Sequence, residues 1–159
     1  MKSHITNVVF AGLGGQGVLK ASGILAQVAF DRGLSIKKSE IHGMSQRGGS
    51  VTCDVRFGHE VLSPMVPAGE ADYLVVFALE EVENNRRYLK PGGVLIPPDA
   101  VPADQLPHPR SLNVALLGVL SKHLEFTPQE WEAAIRANLD EKLHQVNLKA
   151  FELGRQYAK

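Results

Sequence analysis

Ile5-Thr6-Asn7-Val8-Val9-Phe10-Ala11-Gly12-Leu13-Gly14-Gly15-Gln16-Gly17 decides how this chain folds, because a short β-branched apolar run empties into a cluster of glycines. Residues 5–11 read as a buried strand feeding a tight turn. Beyond the turn, Val18, Ala21, Leu25, Val28 and Ala29 recur at three- and four-residue steps, which gives a helix one apolar face, and Gly33 stands where a helix C′ residue belongs. Residues 35–39 supply a second strand. Strand, glycine turn, helix and strand together have the length of a right-handed crossover and place the chain in the parallel α/β class.

Working outward, Val51, Cys53, Val55 and Phe57 alternate with Thr52, Asp54 and Arg56, and Gly58-His59 separates them from a short run at 61–63. That pattern predicts a half-exposed antiparallel β-hairpin. Residues 73–78 form another apolar strand, 80–89 are compatible with a helix, Pro91-Gly92-Gly93 stop it, and 94–96 return as a strand. Five prolines between Pro97 and Pro109 preclude regular helix or a central strand there, so this stretch is a connector. Residues 113–124 read as a buried helix. Thr127-Pro128-Gln129-Glu130 carries an N-cap, a proline at the first helical position and a capping-box glutamate, so a helix starts at Pro128. Asp140 is placed to cap a last helix with an apolar stripe through Leu143, Val146, Ala150, Phe151 and Leu153 or Gly154.

Bulk properties narrow the function. A length of 159 residues suits one domain, 1–159, with its own core. Seventeen basic residues balance seventeen acidic ones, so no global field draws the chain to nucleic acid or an anionic membrane. The single cysteine, Cys53, excludes an internal disulfide and any cluster or structural zinc built on several thiolates of this chain. The apolar run at 114–120 is far short of the roughly 20 residues that span a bilayer, and residues 1–4 lead into a strand without a secretory h-region. The expected location is cytoplasmic.

Two segments carry candidate chemistry. Gly12, Gly14 and Gly17 make a GxGxxG pattern after a strand and at the mouth of a helix, where backbone amides can approach a phosphate. Gly15 and Gln16 complete this candidate binding turn. Against a dinucleotide, the end of the second strand carries Ile36, Lys37 and Lys38 where an acid should bond the ribose, so a structural or other anion-binding turn is the favoured reading. The second segment is Ser39-Glu40-Ile41-His42-Gly43-Met44-Ser45-Gln46-Arg47-Gly48-Gly49-Ser50. Its glycines permit close approach to another molecule, and its polar residues supply donors and acceptors, as a functional or interface loop requires; an ordinary polar surface loop is the plain alternative. His42 brings an imidazole of the kind used as a general base, but has no second histidine or cysteine nearby, which argues against a metal. Arg47 suits a carboxylate or phosphate, or equally an intersubunit ion pair. Cys53 lies on the apolar side of its strand and reads as a buried, inert thiol. Gly69-Glu70-Ala71-Asp72 reads as a turn at a strand entrance, and Asn113 as a structural cap.

The order of these pieces resembles the gamma domain of 2-oxoacid:ferredoxin oxidoreductases, most closely the indolepyruvate type. The resemblance is carried by Gly12-Leu13-Gly14-Gly15-Gln16-Gly17-Val18, the Ser39 to Ser50 block with Val51, Val55-Arg56-Phe57-Gly58, Ser63-Pro64, Gly69-Glu70-Ala71-Asp72 and the C-terminal elements 113–122 and 146–154. It implies α/β architecture: a three-layer α/β/α Rossmann-like mixed sheet with an antiparallel hairpin and C-terminal helices. It also implies an accessory subunit, inactive alone, of an enzyme that oxidatively decarboxylates a 2-oxoacid such as pyruvate or an arylpyruvate to an acyl-CoA and reduces ferredoxin. Thiamine diphosphate, iron-sulfur clusters and CoA belong to that complex and not to this chain alone. The partner is a larger catalytic subunit, with ferredoxin reached through the complex, and surfaces meant for the partner leave room for a homodimer when the chain is isolated. In this family setting, Ser39, Glu40, His42, Gly43, Met44, Ser45, Gln46, Arg47, Gly48, Gly49 and Ser50 face the partner or the CoA route. Residues 97–111 are shorter than the indolepyruvate type implies. The alternative function is a freestanding Rossmann-type nucleotide-binding module.

Overall fold

A computed structural model describes residues 4–42 and 49–159. Its five-stranded sheet has the order β2-β3-β1-β4-β5, built from β1 (Ile5–Leu13), β2 (Ser35–His42), β3 (Ser50–Gly58), β4 (Ala71–Val76) and β5 (Leu89–Ile96). β1 pairs parallel to β4, and β4 parallel to β5, while β3 runs antiparallel to both β1 and β2. The mixed sheet agrees with the expected class. The crossover through α1 (Val18–Asp31) delivers β2 in the same direction as β1, but β3 lies between them. The physical reason is visible in the side chains. β3 is buried along most of its length and belongs in the interior, whereas Lys37, Lys38 and Glu40 suit β2 to an edge.

The hairpin is real but has different arms. β3 pairs with β2, not with residues 61–63, which form no strand. Instead that segment is fastened across the sheet face. Arg56 donates to the carbonyls of Ser63 (2.9 Å) and Met65 (3.1 Å), and the Asp54 carboxylate accepts from the Val66 amide at 2.9 Å. The face expected to be half exposed is therefore covered at Asp54, which is 5% exposed and whose carboxyl is pushed above its ordinary pKa by burial.

Helices cover both faces. α1, α3 (Leu112–Ser121), α4 (Pro128–Asn138) and α5 (His144–Tyr157) enclose the larger core with Val8, Phe10, Cys53 and Val55 of the sheet. On the other face Val9, Ala11, Leu74 and Val76 meet Val66 and Val82, the latter from α2 (Glu80–Asn85). β1 is buried on both sides, which is why its apolar run is continuous. β5 begins earlier than expected and takes in Pro91-Gly92-Gly93, with a register shift between Ala71 and Tyr73. An edge strand tolerates the proline because its outward amide has no ladder partner to lose.

Thr127 and Glu130 form the capping box predicted for α4. Asp140 instead precedes a 3-10 turn, Glu141–Leu143, and its side chain caps nothing. The buried stripe of α5 is Asn147, Ala150, Phe151 and Gly154, shifted from the apolar reading because its contact with α3 is made through small residues. A Cβ at Gly154 would overlap the Ala115 carbonyl, and one at Gly118 the Phe151 carbonyl, so the two helix backbones touch. Among the described residues no helix is long and apolar enough to cross a membrane.

Candidate functional site at the carboxyl end of the central strands

β1 delivers the glycine turn to the carboxyl end of the sheet, where ligands bind in open α/β folds. Each glycine has its own reason. A Cβ at Gly12 would lie 2.9 Å from both Gln16 Oε1 and Val18 Cγ2. Gly15 and Gly17 hold positive φ values of 89° and 79°. Gly17 is also packed against Asn113, whose Nδ2 donates to the Gly17 carbonyl at 3.2 Å. Gln16 braces the turn internally. Its Oε1 accepts from the Leu13 amide at 2.7 Å, and its Nε2 donates to the Phe77 carbonyl at 3.2 Å, tying the loop after β1 to the loop after β4.

As the N-cap residue of α1, Gly17 offers no side-chain cap to the first-turn amides. A cleft of about 500 Å³ opens here, lined by Gly15, Gln16, Gly17, Lys20, Arg110 and Asn113 among others. Free helix amides, a lysine and an arginine suit an anionic group. The dinucleotide geometry is a different matter. The strand beside β1 on the β2 side is the antiparallel β3, so no adjacent parallel strand ends there with a ribose-binding acid.

The second candidate segment meets the first at its stem. Gly14 donates its amide to the carbonyl of Gly49 at 2.9 Å, and Ser50 pairs with Leu13 in the β1–β3 ladder. Ser50 Oγ donates to Glu81 Oε1 at 2.7 Å. Glu81 is 4% exposed, and its other carboxylate oxygen accepts from the Asn85 amide group at 3.3 Å and the Asn84 amide group at 3.4 Å. Beside this stem lies a cleft of about 570 Å³ reached by Ile41, Ser50, Thr52, Asn84, Arg87 and Tyr88.

Of the other predicted residues, Ser39, Glu40 and His42 lie on β2, opposite Asp54, Cys53 and Val51 respectively. Glu40 and His42 are exposed, and Glu40 pairs with Lys38 at 3.6 Å. Gly43, Met44, Ser45, Gln46, Arg47 and Gly48 lie outside the described residues. Cys53 is fully buried, and burial raises its thiol pKa, which leaves it a poor nucleophile. Asp72 has a structural job: it accepts from the Asn7 amide at 2.8 Å and pairs with Lys90 at 2.5 Å.

Sequence reasoning did not single out Lys20, Arg110 or Glu81. Glu81 left one clue, an acid next to Val82 on a short helix whose inward face should be apolar. Lys20 and Arg110 are ninety residues apart and left none.

Comparison with known proteins bears on the whole chain. The profile of the pyruvate ferredoxin/flavodoxin oxidoreductase family matches residues 7–157. The chain is 33% identical to indolepyruvate oxidoreductase subunit IorB of Thermococcus kodakarensis, over an alignment of 193 positions covering 96% of each chain. Because the chain has 159 residues, about 40 of those positions face gaps in it. The keto/oxoacid ferredoxin oxidoreductase gamma subunit of Geobacter sulfurreducens has the same fold, with TM-score 0.80 at 22% identity over 97% of this chain and 96% of that one. The 2-oxoglutarate:ferredoxin oxidoreductase of Magnetococcus marinus superposes with TM-score 0.85 at 21% identity, covering 99% of this chain but 31% of that longer one. The chain belongs to the pyruvate ferredoxin/flavodoxin oxidoreductase family.

Proposed function

We propose that this chain is the small, gamma-type subunit of a heteromeric 2-oxoacid:ferredoxin oxidoreductase, and that the glycine turn with the Ser39 to Ser50 segment forms its working surface toward a larger catalytic subunit and the CoA route. The observation that carries this reading is the Gly14 to Gly49 hydrogen bond, which makes one surface of two segments separated in sequence. Lys20 and Arg110 beside the turn give it the charge to receive a phosphate-bearing substrate such as CoA.

In this reading the complex oxidises a 2-oxoacid with loss of carbon dioxide, transfers the acyl group to CoA and passes two electrons to ferredoxin. Thiamine diphosphate would supply the carbanion chemistry from the partner. Iron-sulfur clusters also fall to the partner, because one buried thiol, Cys53, cannot ligate a cluster. An arylpyruvate is the favoured substrate, supported by the indolepyruvate oxidoreductase name of the relative. His42, Gln46 and Arg47 would make the polar contacts, with Gly48 and Gly49 permitting close approach.

Affinity purification of the chain from its own cells, under anaerobic and gentle conditions, tests the assignment. A stoichiometric larger subunit rich in cluster-binding cysteines is expected. Recovery of the chain alone, with saturable binding of NADH or NADPH by calorimetry, would replace this reading by a freestanding nucleotide-binding module. Within the complex, Arg47→Ala should weaken assembly or raise the CoA concentration needed for turnover; unchanged yield and unchanged turnover at every CoA concentration would remove the loop from this role.

A further inference from the structure

The two edges of the sheet differ. β5 is interrupted by Pro91 and a register shift, devices that blunt an edge against further pairing. β2 has neither: its eight residues Ser-Ile-Lys-Lys-Ser-Glu-Ile-His pair in unbroken register with β3 on one side only, among the described residues, and Ile41 is 46% exposed. Its charged residues deter an arbitrary strand but admit one whose charges complement them.

The charge order on β2 selects which strand. Residues facing each other across an antiparallel pair share a face of the sheet. Lys38 and Glu40 stand opposite Val55 and Cys53, so both lie on the α1 side, while Lys37, Ser39 and Ile41 lie on the other. When two copies pair about a twofold axis normal to the sheet, the residue on the axis faces its own copy. Centring on Lys37, Lys38 or Glu40 therefore opposes like charges directly, which destabilises a sheet pair. Centring on Ser39 opposes Ser39 to Ser39, Lys37 to Ile41 and Ile36 to His42. It also sets Lys38 against Glu40 of the second copy, twice by symmetry. This register pairs residues 36–42 in full and matches opposite charges on the same face.

We propose that β2 is a homodimerisation edge, joining two copies antiparallel about Ser39 into a continuous ten-stranded sheet held by reciprocal Lys38–Glu40 pairs. The intrachain Lys38–Glu40 pair, loose at 3.6 Å, is then extended into a four-charge ladder across the axis. This inference concerns the chain by itself, in which Ser39, Glu40 and His42 are free of the larger subunit assigned to them above; it uses only the strand and its register, not the glycine turn or residues 43–48.

Sedimentation velocity on the full chain tests it. The wild type should sediment as a dimer of the 17.3-kDa chain. Lys38→Glu and Glu40→Lys, each of which sets four like charges around the axis, should each raise the dimer dissociation constant by about tenfold or more. The double reversal, Lys38→Glu with Glu40→Lys, should restore it. Circular dichroism on each variant separates lost pairing from lost folding. In a Cys53→Ser background, Ser39→Cys should yield a reducible covalent dimer on mild oxidation. A chain that stays monomeric up to about 100 µM overturns the proposal. So does a dimer that ignores both charge reversals or fails to cross-link through Ser39→Cys.

Discussion

The amide of Gly14 donates to the carbonyl of Gly49 at 2.9 Å, so the turn after β1 holds the stem of the segment that precedes β3. Replacing the donor, Gly14→Pro, removes one backbone hydrogen bond worth about 1 kcal/mol. Hydrogen exchange should show faster exchange of the Gly49 to Val51 amides in this variant, with the helices unchanged. Unaltered protection there would mean that the stem is held by the strand ladder alone.

Gly17 and Asn113 form a second matched pair. Gly17→Ala places a Cβ in the left-handed region at φ 79° and against the Asn113 side chain. A loss of about 2 kcal/mol or more is expected from chemical denaturation. Gly15→Ala meets the same backbone penalty at φ 89° but open space, so it should lose only about 1 kcal/mol. Asn113→Ala combined with Gly17→Ala should recover part of the difference; equal losses for the two glycine variants would contradict the packing argument.

Ser50 and Glu81 anchor the same stem from the α2 side. Glu81→Ala removes the buried carboxylate that accepts from the Ser50 hydroxyl and the Asn84 and Asn85 amide groups; because Ser50 and Asn84 reach solvent and Asn85 keeps the Glu81 backbone carbonyl, the cost should be about 1 kcal/mol. Glu81→Gln keeps an acceptor oxygen at that site and should lose less. Urea midpoints for the two variants, compared with Ser50→Ala, read the coupling directly.

The contact of α3 with α5 has almost no tolerance. Gly154→Ala drives a methyl into the Ala115 carbonyl, a backbone atom held by its helix, and should cost about 3 kcal/mol or prevent folding. Gly23→Ala on α1 meets nothing closer than 3.7 Å and should be neutral or stabilising by helix propensity. Thermal unfolding of the two variants should move in opposite directions or differ widely.

Glu130 links acidity to stability. Arg32 and then the Thr127 amide hold its carboxyl pKa down from 4.5 to about 2. A carboxylate depressed on folding stabilises the protein above its unfolded pKa, and the contribution is lost as pH falls from about 4.5 toward about 2. Glu130→Gln should flatten the stability profile in that window and change it little between pH 6 and 8 beyond a constant offset. An identical acid limb in both proteins would show that the pair does not couple to folding.

The local elements were legible because their signals are local. An apolar run closed by glycines marks β1, a three- and four-residue stripe marks α1, and a threonine, a proline and a glutamate at capping spacing mark the start of α4. The burial of Cys53 followed from simple alternation along β3. The hairpin partner was misread because residues 61–63 look like a strand, and what holds the chain there is a set of bonds at Ser63 and just beyond, from Arg56 to the Ser63 and Met65 carbonyls and from the Val66 amide to Asp54. The stripe of α5 was read correctly at Ala150, Phe151 and Gly154, but Asn147 is buried where Leu143 was expected, because the closest contact of this helix is made through glycine and not through large apolar residues. Lys20 and Arg110 left no sign, and Glu81 only its place beside Val82, for a related reason: each reaches the site only through folding.

The sequence by itself determined the class, since strand, turn and helix preferences are properties of neighbouring residues, and through its resemblance it pointed to the family and singled out two segments as candidates. Only the tertiary structure decided that β3 lies between β1 and β2, that Gly14 meets Gly49, and that Lys20 and Arg110 share a cleft. Strand order is set by which strands can be buried on both faces, and that competition is settled by the whole core at once.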